Sequence, residues 1–182
     1  MPATVNESAF YERFYITVFN KFEKYSDEIN KAMRNPGLML VSGLTPPNIM
    51  SISWGATGFL FGKPIFIVAV RKKRHTYRLL ENSGVFTVNV PRKDLRNEIM
   101  QIGFATGANV NKFNEFHLHP VKARSVDTYI VGDCSLHIEC RIILKTEVEG
   151  ALLSDEIKSE IYDDSQSYHD LFYGEIVDIY ET

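Results

Sequence analysis

Apolar residues recur at helical spacing near the start of the chain and at strand spacing beyond it. Phe10, Phe14, Ile16, Val18, Phe19 and Phe22 form a broad stripe among Glu, Lys and Asn, which predicts a helix over 7–34. Asn35-Pro36-Gly37 stops it. The period then changes. Leu38-Met39-Leu40-Val41, the turn Thr45-Pro46-Pro47 and Asn48–Trp54 read as strand, turn, strand. Gly55, Gly58 and Gly62 predict a loop with aromatic content, and the nearly continuous apolar run Pro64–Val70 a strand buried on both faces. A short helix is expected over 76–83, closed by Ser83-Gly84, then a strand Val85–Val90 stopped by Pro91, then a helix over 93–103. Thr106–His119 is polar and mixed, with one helical turn between loops. Cys134–Lys145 alternates cleanly: Cys134, Leu136, Ile138, Cys140 and Ile142 share one face, and Ser135, His137, Glu139 and Arg141 the other. A short helix over 154–162 and a final strand Leu171–Tyr180, with Gly174 as a bulge, complete the pattern. Strands with short helices inserted, and no regular β-α alternation, predict an α+β, mainly β domain around an antiparallel sheet or small barrel.

Composition narrows the class. The chain has 182 residues, 45% of them hydrophobic, which suits one core. Its formal charge of −3 argues against a constitutive nucleic-acid binder. No apolar run approaches the ~18–20 residues that cross a bilayer, so no membrane span is expected. No signal peptide is visible at the N-terminus, and only Cys134 and Cys140 occur, so a reduced, cytoplasmic location is the expectation. The charge is unevenly spread. Residues 147–182 hold 11 acidic residues against Lys158, while the stretch from Lys63 to Arg96 holds nine basic residues and two acidic ones. A basic centre of this kind can hold a small anion.

The Rossmann and P-loop glycine signatures and the nucleophile elbow are absent from the sequence. The strongest local signal is Arg71-Lys72-Lys73-Arg74-His75-Thr76, which joins the buried strand to a helix start that Thr76 can cap. Cations beside a helix N-terminus suit a phosphate; a solvated basic turn is the plainer alternative. The second signal is Asn48-Ile49-Met50-Ser51-Ile52-Ser53-Trp54, which offers short polar groups and the single tryptophan. Strand ends also carry such residues.

Taken in order, these segments resemble the flavin reductase-like family of FMN-binding split barrels, near its flavoredoxin branch. The resemblance rests on Asn48-x-Met50-Ser51-x-Ser53-Trp54, the glycine-rich loop, Pro64–Arg71, Arg74-His75-Thr76-Tyr77, and Ser83-Gly84-x-Phe86-x-Val88-Asn89-x-Pro91. It continues through Lys112-Phe113, Leu136-His137-x-Glu139-Cys140 and Phe172-x-Gly174-Glu175-Ile176-Val177. It implies a six-stranded antiparallel split barrel with added helices, placed over 37–182; the N-terminal helical extension over 1–36 matches no motif, its expected role is packing or a dimer contact, and the two together form one compact domain. It also implies a homodimer with FMN near the subunit interface. Asn48, Ile49, Met50 and Ser51 match the segment along the isoalloxazine edge. Ser53 and Trp54 match positions beside the ribityl chain and phosphate, and Arg71, Arg74, His75 and Thr76 the phosphate site. Lys112 matches a lysine that approaches the cofactor, and His169 borders the flavin. Where relatives carry Ser-Gly-Arg-Asp-x-Asp-Lys-Phe, this chain reads Thr106-Gly107-Ala108-Asn109-Val110-Asn111-Lys112-Phe113, without those charges.

No catalytic side chain is expected, because flavin N5 carries the chemistry. The expected activity is an NAD(P)H-dependent flavin reductase, with NADH or NADPH as reductant and a small molecule or protein as electron acceptor. The alternatives are an FMN electron carrier reduced by a protein partner, and a barrel that has lost flavin and serves as a dimeric binding module. Cys134 and Cys140 read as core, not as a redox pair. His117 and His119 share a strand face but lack a third ligand, so no metal is expected. His137 reads as a satisfied, partly buried histidine, the acidic stretch 155–164 as a solvated face, and Tyr11, Tyr15 and Tyr25 as the packed side of the first helix.

Overall fold

The computed structural model describes residues 7–162 and 167–182, with side chains from Ile16 onward. The first helix, α1, spans Glu7–Arg34. Its inward stripe is Val18, Phe22, Tyr25, Ile29 and Met33, at spacings of three and four, so these side chains share one face. Ile16 and Phe19, expected in that stripe, point outward. Tyr25 is packed as expected, whereas Tyr11 and Tyr15 lie outside the described side chains.

The chain then alternates short strands with short helices: β1 Leu38–Ser42, β2 Asn48–Ile52, β3 Gly55–Leu60, β4 Lys63–Arg71, α2 His75–Ser83, β5 Val85–Val90, α3 Arg96–Phe104, α4 Lys112–Glu115, β6 Pro120–Lys122, β7 Tyr129–Val131, β8 Leu136–Thr146, α5 Asp155–Ile161 and β9 His169–Glu181. Seven strands form one antiparallel sheet in the order β2-β1-β5-β8-β9-β4-β3, and β6 and β7 form a separate ribbon. The two edge strands, β2 and β3, follow one another in sequence. Three Cα steps from Ile52 to Gly55 span at most about 11 Å. A flat seven-strand sheet would separate its edges by about 29 Å. The sheet is therefore rolled, with β2 and β3 brought together as the two lips of a split barrel. The Ala69 N–H donates to the Trp54 carbonyl (3.3 Å) and pins the crossing segment against β4.

The α+β class and the N-terminal helix stand as expected, while the main sheet carries seven strands where the resemblance implies six. The glycine-rich segment expected as a loop is β3. Its composition is poor in β-branched residues, and its pairing with β4 decides its conformation. A Cβ at Gly55 would run into the Ile67 carbonyl oxygen, so glycine permits the close approach that starts this strand.

Two cores flank β1. Leu38 and Leu40 enter the barrel interior with Phe66, Val68, Phe86, Val88, Ile138, Phe172 and the α1 stripe. Met39 and Val41 enter a second cluster with Ile49, Ile99, Ile102, Phe113 and Cys134, under α3 and α4. Burial on both faces explains the unbroken apolar run of β1. It also changes the picture of β8. Its second face carries polar residues, with His137 expected to be partly buried, yet His137 and Glu139 are both fully buried. The Glu139 carboxylate accepts from the N–H groups of Arg124, Ser125 and Val126 and from the Tyr180 hydroxyl. His137 bonds Asn89 Oδ1 through Nδ1 (2.7 Å) and Thr182 Oγ1 through Nε2 (3.0 Å). Both groups are thus satisfied without water.

Gly174 pairs with Phe66 on one side and Ile142 on the other, and the register shifts lie on either side of it, at Ile142/Leu144 and Glu139/Cys140. A Cβ at Gly174 would sit 2.6 Å from the Phe86 ring and 2.8 Å from Cys140 Cβ, so this glycine lets the barrel interior close. Among the described residues no helix is long and apolar enough to cross a membrane.

Candidate functional site

Edge strand β2 and the turn from β4 into α2 face each other across a cleft. A tight turn, with the Arg74 N–H on the Arg71 carbonyl (2.9 Å), ends β4 and starts α2. Arg74 holds the cap position in extended conformation, no side chain caps the helix, and its first turn carries no acid. The expected cap, Thr76, lies inside the helix. Its hydroxyl instead accepts from the Asn48 amide (2.8 Å), and both residues are buried. This bond ties the start of β2 to α2. A Cβ on Gly107 would run into the Asn48 side chain, so the loop after α3 closes tightly over the same point.

The cleft has two lobes that share Met50, Ser51, Lys73 and Arg74. The first, about 450 Å³, is walled by Ile52, Ser53, Trp54, Ala69, Val70, Arg71 and His169. The second, about 320 Å³, is walled by Asn48, His75, Thr76, Ile102, Gly103, Ala105, Thr106, Gly107 and Lys112. Of the twelve residues expected to bind the cofactor, only Ile49 lies on neither wall; it is buried in the second core. Strand alternation sends it to the far side of β2 from the barrel interior.

In the first lobe the Trp54 and His169 rings lie 4.7 Å apart, and His169 Nδ1 bonds the Tyr162 hydroxyl (3.0 Å). Burial, together with Arg71, Arg74 and Lys73, lowers the His169 pKa to about 4, so the ring is neutral near pH 7. The Arg71 guanidinium donates to the Ile161 carbonyl (3.2 Å) and sits 5.4 Å from the Tyr162 ring centre, which holds it at the rim.

In the second lobe the last turn of α3 receives two cations. Lys112 Nζ donates to the Ile102 carbonyl (3.1 Å) and Arg74 to the Gly103 carbonyl (3.4 Å). The negative end of a helix suits them. Lys112 is only 4% exposed, and burial with the nearby Arg74 charge lowers its pKa to about 8. The described lining residues of both lobes include no carboxylate.

Lys73 was missed as a site residue, although the basic run containing it was not. Its neighbour Lys72 turns away to Glu147 (2.9 Å) and Asp170 (3.6 Å), a difference that sequence alone does not reveal. The loop walls from Ile102 to Gly107 carry no chemical signature of their own. The other candidates lie elsewhere. Cys134 and Cys140 are buried free thiols, pushed above the usual thiol range by burial. His119 pairs with Asp133 (2.9 Å), and His117 adopts a left-handed turn, not the strand face expected for the two. Of the acidic stretch 155–164, Asp163 and Asp164 lie outside the described residues, and Asp155 and Glu156 are exposed on the first turn of α5.

Comparison with known proteins adds three findings. Residues 36–182 match the flavin reductase like domain. An uncharacterized protein of Archaeoglobus fulgidus is 29% identical over 109 residues, covering 60% of this chain and 61% of that one, less than two thirds of its length. Among solved structures, the flavoredoxin of Desulfovibrio vulgaris (Miyazaki F) superposes with a TM-score of 0.66 at 26% identity, over 81% of this chain and 69% of that one. The Streptomyces globisporus NADH:FAD oxidoreductase SgcE6 shares the fold, with a TM-score of 0.60 at 16% identity over 80% of this chain and 75% of that one.

Proposed function

The chain belongs to the flavin reductase-like domain family, and from that premise we propose that it binds FMN in the two-lobed cleft, accepts electrons from NADH or NADPH and passes them to a second acceptor. The observation that carries this reading is the cleft itself. Arg71, Lys73, Arg74 and Lys112 surround it, α2 opens onto it uncapped, and no carboxylate among the described lining residues opposes an anion. A phosphomonoester fits that chemistry, held by Arg74 and by the first N–H groups of α2 at His75 and Thr76. Because β2 is an edge strand, one side of its backbone has no strand partner. Asn48–Ser51 can therefore offer N–H and C=O groups to the polar edge of a flat ring system. Trp54, 42% exposed beside His169, gives the ring an apolar neighbour at the cleft mouth. A bound flavin supplies hydride acceptance from a nicotinamide and one- or two-electron release, and the protein's task is binding, orientation and tuning. Neutral His169, held by its bond to the Tyr162 hydroxyl, borders the cleft without adding charge.

The likeness to a flavoredoxin favours a second reading, an FMN electron carrier reduced by a protein partner. A homodimer belongs to both readings. Its support is the apolar groove beside the cleft, walled by Pro36, Ile52, Ile99, Met100 and Phe104, with Phe104 93% exposed. The test is to purify the protein, add FMN, and follow flavin absorbance while NADH or NADPH is added without oxygen. Bleaching supports the reductase. Bleaching only by a reduced ferredoxin-like donor supports the carrier. A protein that takes up no FMN overturns both.

A further inference from the structure

The second lobe contains a charge that the free protein leaves almost uncompensated. An ammonium has three donors. Lys112 uses one, on the Ile102 carbonyl, and has no ion pair among the described residues. The charged groups around it are of its own sign: Arg74 acts on it directly, and Lys73 shares the lobe wall. The carboxylates of the packed helices, Glu98 of α3 and Glu115 of α4, line neither lobe. The α3 carbonyls give it only the partial negative charge of a helix end. A side chain 4% exposed in such company holds its proton weakly until something negative arrives.

We infer that Lys112 receives an oxygen of the bound flavin in the second lobe, and that binding therefore carries a proton from solvent onto Lys112 Nζ. This rests on the FMN reading. Two donors of Nζ remain for that oxygen, and the Asn48–Thr76 bond and Gly107 fix another part of the same lobe wall. The oxygen is either an anionic phosphate oxygen or a carbonyl of the neutral oxidised ring, since both accept from an ammonium. The free-protein pKa of about 8 means that Lys112 is about nine-tenths unprotonated at pH 9. A phosphate monoester no longer titrates there.

Calorimetric titration with FMN at pH 9, in two buffers of different ionisation enthalpy, reads the proton directly. Uptake of close to one proton per FMN is expected, falling to near zero at pH 6.5 once the contribution of the phosphate itself is subtracted using K112R as reference. In K112R the guanidinium stays charged, so FMN should still bind but with no uptake at pH 9. K112Q should lose the uptake and bind FMN about tenfold or more weakly at pH 7. Riboflavin distinguishes the sources: uptake lost with riboflavin assigns the oxygen to the phosphate, and uptake kept assigns it to the ring. FMN binding without buffer dependence at pH 9, or with the same dependence in K112R, overturns the inference and leaves the FMN reading standing. Failure to bind FMN in any buffer overturns the FMN reading itself.

Discussion

At the scale of single residues, the cleft separates side chains that bind from side chains that hold the fold. Arg74 stands at the meeting of the two lobes, exposed, its guanidinium making a long bond to the Gly103 carbonyl and no ion pair among the described residues. Arg74→Ala should therefore weaken FMN binding roughly ten- to hundredfold, the worth of one charge-assisted contact, while leaving thermal unfolding in place. Fluorescence titration and a melting curve read both. His137 is the reverse case, buried in a network with Asn89 and Thr182 and lining neither lobe. Burial, with Arg124 and Arg92 nearby, lowers its pKa to about 4. Unfolded histidine titrates near 6.5, so between about pH 6.5 and 4 the unfolded chain binds a proton that the folded chain does not. Stability must fall as the pH falls through that window, by up to about 3 kcal/mol from this residue. Urea midpoints at pH 7 and pH 5 should converge in His137→Gln; an unchanged slope in that variant would refute the assignment. Residue identities were largely legible in the sequence. The basic run announced an anion site, but Lys72 and Lys73 look alike until Glu147 and Asp170 claim the first.

At the scale of elements, two glycines do different work. Gly174 lies in the middle of β9, where a side chain would meet the Phe86 ring and Cys140. Gly174→Val should cost the fold about 2–3 kcal/mol through overpacking, seen as a lower melting temperature with or without flavin. Gly107 lies in the loop that closes the second lobe on Asn48. Gly107→Val should instead displace that loop and impair FMN binding with a smaller change in melting. A larger melting shift for Gly107 than for Gly174 would contradict this division. The strands rich in apolar residues, β1, β4, β5, β8 and β9, were readable because those residues face a core in any arrangement of the sheet. Strand β3 was not. Gly55, Ala56 and Gly58 have little strand preference, and only the ladder to β4 makes them one. The ribbon of β6 and β7, three residues each, is too short to show a period.

At the scale of the whole molecule, closure of the sheet makes the cleft. Two residues, Ser53 and Trp54, carry the chain from one edge of the sheet to the other, and the gap where β2 faces the turn from β4 into α2 is the cleft. The exposed Phe104 and Met100 beside this gap mark where a second copy would cover apolar surface. Phe104→Glu should shift the protein from dimer to monomer in light scattering; a wild-type protein that is monomeric at all concentrations would remove that reading. The amino-acid sequence by itself determined the α+β class, the α1 helix and its stop, the long strands, and the residue types gathered for an anion. Local periodicity, turn chemistry and charge act over a few positions, and those are properties a sequence carries directly. The tertiary structure alone decided that β3 is a strand, that His137 and Glu139 are buried, that Lys73 and not Lys72 faces the cleft, and that Lys112 has no acidic partner among the described residues. Each depends on which distant segments meet, and the rolling of the sheet determines those meetings.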